Sequence, residues 1–552
     1  MPRTKVILNE DGDCICCLEP GRAVAQVNEH LGWLLENVPV DIYELHVATP
    51  DVCYYQSRVG EVLGSRMMDE IRSHVQQHPY RPPGPKPPRM HHFLAMGLEH
   101  LRAEGTDPLD AWSAFLRPKS VKFVAEMRMS DTHHHSLEPD DPLVSQFAMD
   151  HPEYVIRRAD GITPVAFDYA IEAVRNHRLA ILEEIAERDV DGLSLNFMRW
   201  AKHFERDTAR EQAPILTGFV GEVRRILDAA ARRRGRGRLL LGARVLSTMD
   251  ECLAAGLDVG AWMQRGDVDY VVACEHNSSW PALNVEQFRS AAGGTGCEVL
   301  GMMGDMIGGT WDGKPEPDDD EARDTLRHGY QSLLNTPEIA RAISANLHAW
   351  GARGIGLWNL PNNLNIFGHG GWGQYPEHRA RMIEWIRAAA DLDRHRREPR
   401  RYHYVPIYKR HLCGANRNYA YLENGRSPHG AFKGLTLYFH EGLTGVRQAL
   451  PFRMADGRDG EPLTGSMRFR IIHGDEEDSF DVDVNGAAVA AEQLERTVDR
   501  GDPEMTWTWV TLDLANCPPL RGDNELGVTW TSRRDHGLNV PYLEELDVRV
   551  VN

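Results

Sequence analysis

The stretch VKFVAEMRM, residues 121–129, and the segment SDTHHH that follows it at residues 130–135 decide the fold class. Apolar residues fill the first half, as in a buried strand, and Glu126, Arg128, Asp131 and three histidines then follow within ten positions. In parallel barrels the chemistry gathers at the carboxyl ends of the strands. A buried strand that ends in titratable groups therefore points to this architecture.

Seven further apolar runs repeat the pattern along the first 395 residues. They lie at residues 6–9, 41–47, 192–200, 239–245, 269–276, 298–305 and 354–360. Amphipathic stretches at residues 23–36, 164–187, 208–233 and 336–351 separate them and predict helices. Eight strands that alternate with helices predict a (β/α)8 barrel, the TIM barrel, over residues 1–395.

The pattern changes after about residue 400, where apolar and polar residues begin to alternate. The segments 467–472, 479–484, 506–512 and 546–551 each have the period of a half-buried strand. They predict a C-terminal antiparallel β-sandwich over residues 396–552. The charge-rich stretch at residues 391–401 is the predicted linker between the two domains.

Charge and hydropathy exclude several classes of partner. The formal net charge of −19 opposes binding to a phosphate backbone, and the arginine-rich run at residues 232–238 is interpreted as a solvated turn between a helix and a strand. No apolar run approaches the roughly 20 residues that span a bilayer. No secretory signal is recognisable, so we expect a cytoplasmic protein, with a secreted or periplasmic one as the alternative if a signal has been removed. The oligomeric state is left open.

The cysteines do not form a recognisable metal motif. Nine are present, and Cys14, Cys16 and Cys17 form the one cluster. No distant CxxC pair completes a zinc site, so we expect buried, reduced thiols. The sequence predicts neither a metal nor a cofactor.

Alternation along each strand assigns side chains to the barrel interior. The residues expected to point inward at the mouth are Glu44, His46, Glu126, Arg128, Asn196, Arg244, Glu275 and Trp358. The orientation of Asp305, at the end of the seventh run, is ambiguous. Burial of a polar side chain without a hydrogen-bond partner costs on the order of 2–7 kcal/mol of folding free energy. Stability alone would not favour so many inward polar residues, so their convergence indicates an active site. A purely structural pair of Glu126 with Arg128 is the alternative for those two residues.

Several motifs resemble one family of enzymes. The segment 189–204 is similar to the fourth-strand signature of family-ten-like glycosyl hydrolase barrels, and Arg128-Met-Ser-Asp-Thr-His-His is similar to their third-strand motif. Segments 164–175, 252–262 and 354–359 also resemble the family. The resemblance implies a TIM barrel that acts on glycosidic bonds, with pocket residues Arg128, Asp131, His133, His134, Arg199 and position 196. One departure is Asn196, which stands where the family has an aspartate and cannot act as an acid or nucleophile.

The predicted function is glycoside hydrolysis by two carboxyl groups. Glu275 and Asp305 are the predicted catalytic pair, ahead of Asp131 and Glu126. Loop histidines His133 and His134 are expected to bind substrate or transfer protons, because no HExxH spacing accompanies them. The remaining predicted substrate-binding residues are Glu44, His46, Glu126, Arg128, Asp131, Asn196, Arg199, Arg244, Trp358 and Asn359, with Trp358 as a stacking platform for a sugar ring.

Three arginines extend the prediction to the substrate. Arg128, Arg199 and Arg244 suit bidentate binding of carboxylate or sulfate groups, so an acidic glycan is the expected partner. Two alternatives remain. One is a polysaccharide lyase, in which His46 or a loop histidine removes a proton and an arginine stabilises the enolate. The other is a non-catalytic glycan-binding protein, which Asn196 would permit.

Overall fold

The computed structural model describes most of the chain. The described residues are 4–80, 89–131, 137–157, 164–199, 201–275, 279–311, 330–360, 376–395, 397–405, 437–457, 463–502, 505–532, 536–537 and 539–551. His133 and His134 lie outside them.

Eight parallel strands close into a barrel, as the sequence predicts. They are β1 (Lys5–Glu10), β2 (Ile42–Thr49), β3 (Lys122–Arg128), β4 (Gly192–Asn196), β5 (Leu240–Val245), β6 (Tyr270–Ala273), β7 (Glu298–Met303) and β8 (Gly354–Leu357). Each strand pairs with its neighbours in chain order, and β1 closes the barrel by pairing with both β2 and β8. Each of the eight predicted runs overlaps one barrel strand, so the TIM-barrel prediction is confirmed.

Helices surround the barrel and follow most of its strands. They are α1 (Ala23–Asn37), α2 (Met68–Gln77), α3 (Met90–Ala103), α4 (Pro108–Leu116), α5 (Gln146–Asp150), α6 (Glu172–Ala186), α7 (Ala213–Arg233), α8 (Met249–Ala254), α9 (Val259–Gln264), α10 (Val285–Ala291), α11 (Pro337–Ala349), α12 (Pro376–Ala390) and α13 (Leu392–His395). None of the helices in the described part of the chain is both long and apolar enough to cross a membrane.

The helix predicted at residues 164–187 begins later than its sequence pattern indicates. The segment Pro164–Phe167 is a short strand that pairs antiparallel with Val155–Arg157, and helix α6 begins only at Glu172. Pro, Val and Phe suit an extended edge strand better than a first helical turn. A second hairpin, Met306–Trp311 with Tyr330–Leu334, extends beyond β7.

The C-terminal region consists of antiparallel strands in two sheets. The strands are β9 (Arg400–Tyr404), β10 (Leu437–Tyr438), β11 (Arg447–Met454), β12 (Gly465–Ile472), β13 (Phe480–Val484), β14 (Ala487–Val489), β15 (Glu495–Asp502), β16 (Met505–Asp513), β17 (Gly522–Trp530) and β18 (Tyr542–Val550). One sheet has the order β9-β18-β12-β16-β15, with β10 beside β18, and the other has the order β11-β17-β13-β14.

An apolar layer fills the space between these two sheets. Met467, Phe469 and Val548 from the first sheet join Val482 and Val528 from the second in one buried cluster. The alternating strands of the sequence therefore form the predicted sandwich. The domain boundary at residues 395 and 396 stays a prediction, and β9 begins four residues beyond it.

Candidate active site at the barrel mouth

A buried ion cluster occupies the barrel interior. Arg244 of β5 donates through Nε and Nη2 to Oε2 of Glu44, at 2.9 and 2.6 Å, and its Nε lies 3.2 Å from Oε2 of Glu126. All three side chains are fully buried. The inward direction predicted for these residues is correct, because strands β2, β3 and β5 present alternate residues to the interior.

Three further side chains complete this cluster. Asn9 donates to Oε2 of Glu126 at 2.9 Å, and Asn196 donates to Oε1 of the same residue at 3.1 Å. The Tyr270 hydroxyl donates to Oε1 of Glu44 at 2.7 Å. Asn196 therefore contributes as an amide donor where the family pattern has an aspartate. The sequence predictions missed Asn9 and Tyr270, although Asn9 stands near the end of an apolar strand, as the predicted residues do.

This environment changes the acidity of Glu126. Burial is the largest cause and raises the pKa of its carboxyl group. Arg244 opposes that effect, whereas the neighbouring Glu44 adds to it, and the resulting pKa is about 7. A carboxyl group with this pKa gains and loses a proton close to neutral pH, as a catalytic acid or base must.

A second ion cluster lies at the mouth itself. Arg128, at the end of β3, donates through Nη1 to Oδ2 of Asp131 at 2.6 Å, and its Nη2 contacts Oδ2 of Asp11 at 2.5 Å. Burial alone would lower the pKa of Arg128, but the two carboxylates raise it well above its usual value. Arg128 and Asp131 are thus brought together as predicted. Asp11, which directly follows β1, was not predicted.

A cavity of about 190 Å³ opens beside this cluster. Its lining residues are Asp11, Asp13, His46, Tyr54, Met90, His91, Leu94, Arg128, Arg199 and Asn359. Four of them, His46, Arg128, Arg199 and Asn359, are predicted substrate-binding residues. They lie within three residues of the carboxyl ends of strands β2, β3, β4 and β8, so these strand ends form part of the cavity wall.

Hydrogen bonds orient the groups that line the cavity. His46 Nε2 lies 2.5 Å from Thr49 Oγ1, which in turn lies 3.0 Å from the Tyr54 hydroxyl. The other ring nitrogen of His46, Nδ1, lies 3.9 Å from Oε1 of Glu126. Asn359 accepts a hydrogen bond of 3.2 Å from the backbone N–H of Asp11. His46 therefore stands between the buried carboxyl group and the cavity.

Trp358 packs among arginines. The guanidinium carbons of Arg128, Arg199 and Arg244 lie 5.9, 6.0 and 5.8 Å from the centre of its ring. These distances suit cation–π contacts. Trp358 points inward as predicted, but its side chain is only 5% exposed. Its role as a stacking platform stays a prediction.

The inward orientation expected for Glu275 is not the one that β6 adopts. The Tyr270 hydroxyl reaches Glu44 inside the barrel, and a Cβ atom on Gly356 would lie 2.6 Å from Val272. Strand β6 thus turns Tyr270 and Val272 inward and Val271 and Ala273 toward the helices. Alternation could not decide this, because β6 is apolar on both faces. Glu275 follows the strand by two residues, is 8% exposed and does not line the cavity.

Asp305 is bound on the outer side of the barrel. Arg381 donates to both of its carboxylate oxygens, at 2.8 and 2.9 Å, and the Trp385 indole donates to Oδ1 at 3.1 Å. Both partners belong to helix α12, so the side chain of Asp305, whose orientation the sequence left ambiguous, points toward the surrounding helices. The catalytic roles of Glu275 and Asp305 stay predictions, but neither residue is brought to the cavity.

Comparisons with known proteins find weak similarity to solved structures. No family model matches the chain, and no curated protein matches it. The PgaB (BpsB) glycoside hydrolase domain from Bordetella bronchiseptica is 11% identical over 70% of this chain and 99% of that one, with a TM-score of 0.35. The class V chitinase from Nicotiana tobaccum is 10% identical over 71% and 100%, with a TM-score of 0.36.

A third similar structure extends over the C-terminal region as well. The GH27 β-L-arabinopyranosidase from Geobacillus stearothermophilus is 9% identical over 97% of this chain and 98% of that one, with a TM-score of 0.34. These solved neighbours are glycoside hydrolases. The family-ten resemblance of the sequence motifs stays a prediction.

Proposed function

We propose that this chain is a glycoside hydrolase that cleaves an acidic glycan at the cavity beside Arg128. The observation that carries the proposal is the position of Glu126. Its carboxyl group has a pKa of about 7 and lies beside His46, which lines a cavity that also holds the carboxylate of Asp11. Proton exchange near neutral pH and a second carboxylate are the two requirements of glycoside hydrolysis.

His46 links the two parts of this arrangement. Glu126 is fully buried, so it acts on the cavity through the imidazole ring rather than by direct contact with substrate. The separation of 3.9 Å exceeds a hydrogen bond, so proton exchange between the two groups would require a small side-chain shift or a bridging water. We therefore assign Glu126 as a positioning residue and proton store, and His46, Thr49 and Tyr54 as the hydrogen-bonded series that leads from it to the cavity.

Asp11 is proposed as the second carboxylate. It lines the cavity directly, and the guanidinium group of Arg128 holds one of its oxygens. A carboxylate in this position can act on a bound glycan as a nucleophile or as a general base. Glu275 and Asp305 remain the sequence-based alternatives for the carboxyl pair.

The acidic character of the substrate is argued from Arg199. Its side chain lines the cavity, and a planar guanidinium group binds carboxylates and sulfates in a bidentate manner. Arg128 and Arg244 are different, because Asp11 and Asp131 compensate the charge of Arg128, and Glu44 and Glu126 compensate the charge of Arg244. We assign Arg244 to the stability of the barrel interior rather than to substrate binding.

A polysaccharide lyase is the second candidate, and one observation favours it. His46, Thr49 and the Tyr54 hydroxyl form a hydrogen-bonded series at the cavity wall, close to Arg128. A histidine, a tyrosine and an arginine at one cavity could remove a proton beside a uronate carboxyl group and stabilise the resulting charge.

One experiment distinguishes the candidates. The purified chain is incubated with neutral, uronate-containing and sulfated polysaccharides, and reducing ends and ultraviolet absorption of unsaturated products are measured together. Hydrolysis releases reducing ends without that absorption, whereas a lyase produces both. A chain that binds glycan without any turnover is a binding protein, and turnover of neutral glycans alone contradicts the role of Arg199.

Four variants then test the assignment of residues. We expect Glu126→Gln and Asp11→Asn to lower kcat by about 100-fold or more, because each removes an acid–base group. Glu275→Gln and Asp305→Asn are the matched controls, since each makes the same carboxyl-to-amide change outside the cavity lining. Loss of turnover in the controls, with retained turnover in the first two, would restore the assignment made from sequence.

A further inference from the structure

A second group of titratable side chains lies behind β1, outside the cavity. Glu10 ends β1, Cys14 follows in the turn Asp13–Cys17, and His30 faces them from helix α1. Their ligand atoms all lie within 4.8 Å of one another, and Nε2 of His30 is 3.0 Å from Oε1 of Glu10. The side chains are 1–4% exposed, so three separate elements place them in one buried position.

The chemistry of the three groups matches one class of metal. A thiolate, an imidazole nitrogen and a carboxylate oxygen are the ligands of Zn²⁺, with bond lengths of about 2.0–2.3 Å. Mg²⁺ and Ca²⁺ prefer oxygen ligands throughout, so the sulfur of Cys14 disfavours them. A Zn²⁺ ion with one thiolate and one carboxylate also has zero total charge, which lowers the free-energy cost of burying it.

Tyr43 supports the orientation that a metal would need. Its hydroxyl group donates to Oε2 of Glu10, which leaves Oε1 directed toward His30. Metal-binding carboxylates are commonly held in this way by a hydrogen bond to the second oxygen. Without a metal, the same groups form a hydrogen-bonded network. Binding of Zn²⁺ would release the proton of the Cys14 thiol, because the thiolate is the form of cysteine that binds a metal.

We propose that Glu10, Cys14 and His30 bind a zinc ion, with a water molecule as the fourth ligand. The ion would connect the end of β1, the turn after it and helix α1. Asp11 and Asp13, which line the cavity, lie next to two of the ligands in the chain. The ion would therefore fix the segment that carries both carboxylates. Sequence spacing did not predict this site, because His30 lies on a separate helix and no CxxC pair is involved.

The first measurement is the metal content of the intact chain. The chain is equilibrated with Zn²⁺, passed over a desalting column and assayed by atomic emission. We expect about one zinc ion per chain in the parent and in Cys252→Ala, which removes another buried thiol. We expect its loss in Cys14→Ala. Tyr43→Phe should bind about 10–100-fold more weakly, because the second oxygen of Glu10 loses its donor.

A spectroscopic measurement does not depend on variants that fold poorly. Co²⁺ bound by the parent chain should show thiolate-to-cobalt charge-transfer absorption in the near ultraviolet. The proposal is overturned if the parent retains no zinc, if Cys14→Ala retains as much as Cys252→Ala, or if bound Co²⁺ lacks that absorption. These measurements do not involve turnover, so they test the zinc site independently of the proposed hydrolase function.

Discussion

The hydroxyl group of Tyr270 donates a hydrogen bond of 2.7 Å to Glu44 across the barrel interior. The contact joins β6 to β2 on the far side of the barrel, and it fixes which face of β6 points inward. Space for the ring comes from Gly242 on β5, where a Cβ atom would lie 2.1 Å from the Tyr270 ring. Because Gly242 of β5 has no side chain, Tyr270 of β6 has room to reach Glu44.

Gly242→Ala should destabilise the chain by about 1–3 kcal/mol, because the added methyl group displaces the Tyr270 ring from a packed interior. The free energy of unfolding is measured by chemical denaturation. Gly218→Ala is the matched control, since Gly218 is exposed in helix α7 and its Cβ atom would meet no other atom within 4 Å. That control should stabilise the chain by about 0.5–1 kcal/mol. Equal effects of the two substitutions would contradict the packing described here.

Arg244→Met should lower the free energy of unfolding by about 3–5 kcal/mol, because it leaves Glu44 and Glu126 buried without their cation. Denaturant titration measures the loss. Arg72→Met is the control, because Arg72 forms an exposed pair with Asp69 and the loss there should stay within about 1 kcal/mol. A small effect at Arg244 would show that its charge is not needed inside the barrel.

The pH dependence of stability should reveal Glu126. Its carboxyl group has a pKa near 4.5 in the unfolded chain and about 7 in the folded chain, so the folded chain binds the proton more tightly. The resulting stabilisation is complete below about pH 4.5 and is lost as pH rises to about 7. It amounts to about 3 kcal/mol.

The measurement compares the free energy of unfolding of the parent and Glu126→Gln across that pH range. The parent should lose stability relative to the variant by this amount between pH 4.5 and 7. Subtraction of the two curves removes the contribution of the groups that do not interact with Glu126. Parallel curves would mean that Glu126 titrates normally, and its role as a proton store would then fail.

Asp305→Asn should reduce stability without reducing turnover. The amide accepts only one of the two hydrogen bonds from Arg381, and the ion pair is lost, so we expect a cost of about 2 kcal/mol. Thermal unfolding and kcat are measured on the same preparations. Glu29→Gln, which alters an exposed pair with Arg22, serves as the control for stability. A loss of kcat in a well-folded Asp305→Asn variant would support the catalytic role predicted from sequence.

The sequence predicted the inward residues of five barrel strands correctly. Strands β2, β3, β4, β5 and β8 each combine apolar residues on one face with polar or glycine residues on the other, so their alternation is visible. Strand β6 is apolar on both faces, and its last polar neighbour, Glu275, lies beyond its end. Periodicity gives no orientation in such a strand, which explains the error there.

The carboxylates at the cavity show a different limit. Asp11 and Asp13 follow β1 in a turn, where no period predicts the direction of a side chain. Asp305 forms its ion pair with Arg381, which lies on a helix 76 positions further along the chain. Helix packing brings such distant partners together, and the local sequence pattern does not predict it.

By itself the sequence determined the eight barrel strands, the C-terminal sandwich and the polar residues that strand alternation turns inward, because these follow from local hydrophobic period. The tertiary structure alone decided which carboxyl group has a raised pKa and which carboxylates line the cavity. It also decided which carboxylate forms an ion pair with an arginine of the surrounding helices. Those outcomes depend on burial and on charges brought together from distant parts of the chain, and neither quantity exists before the barrel closes.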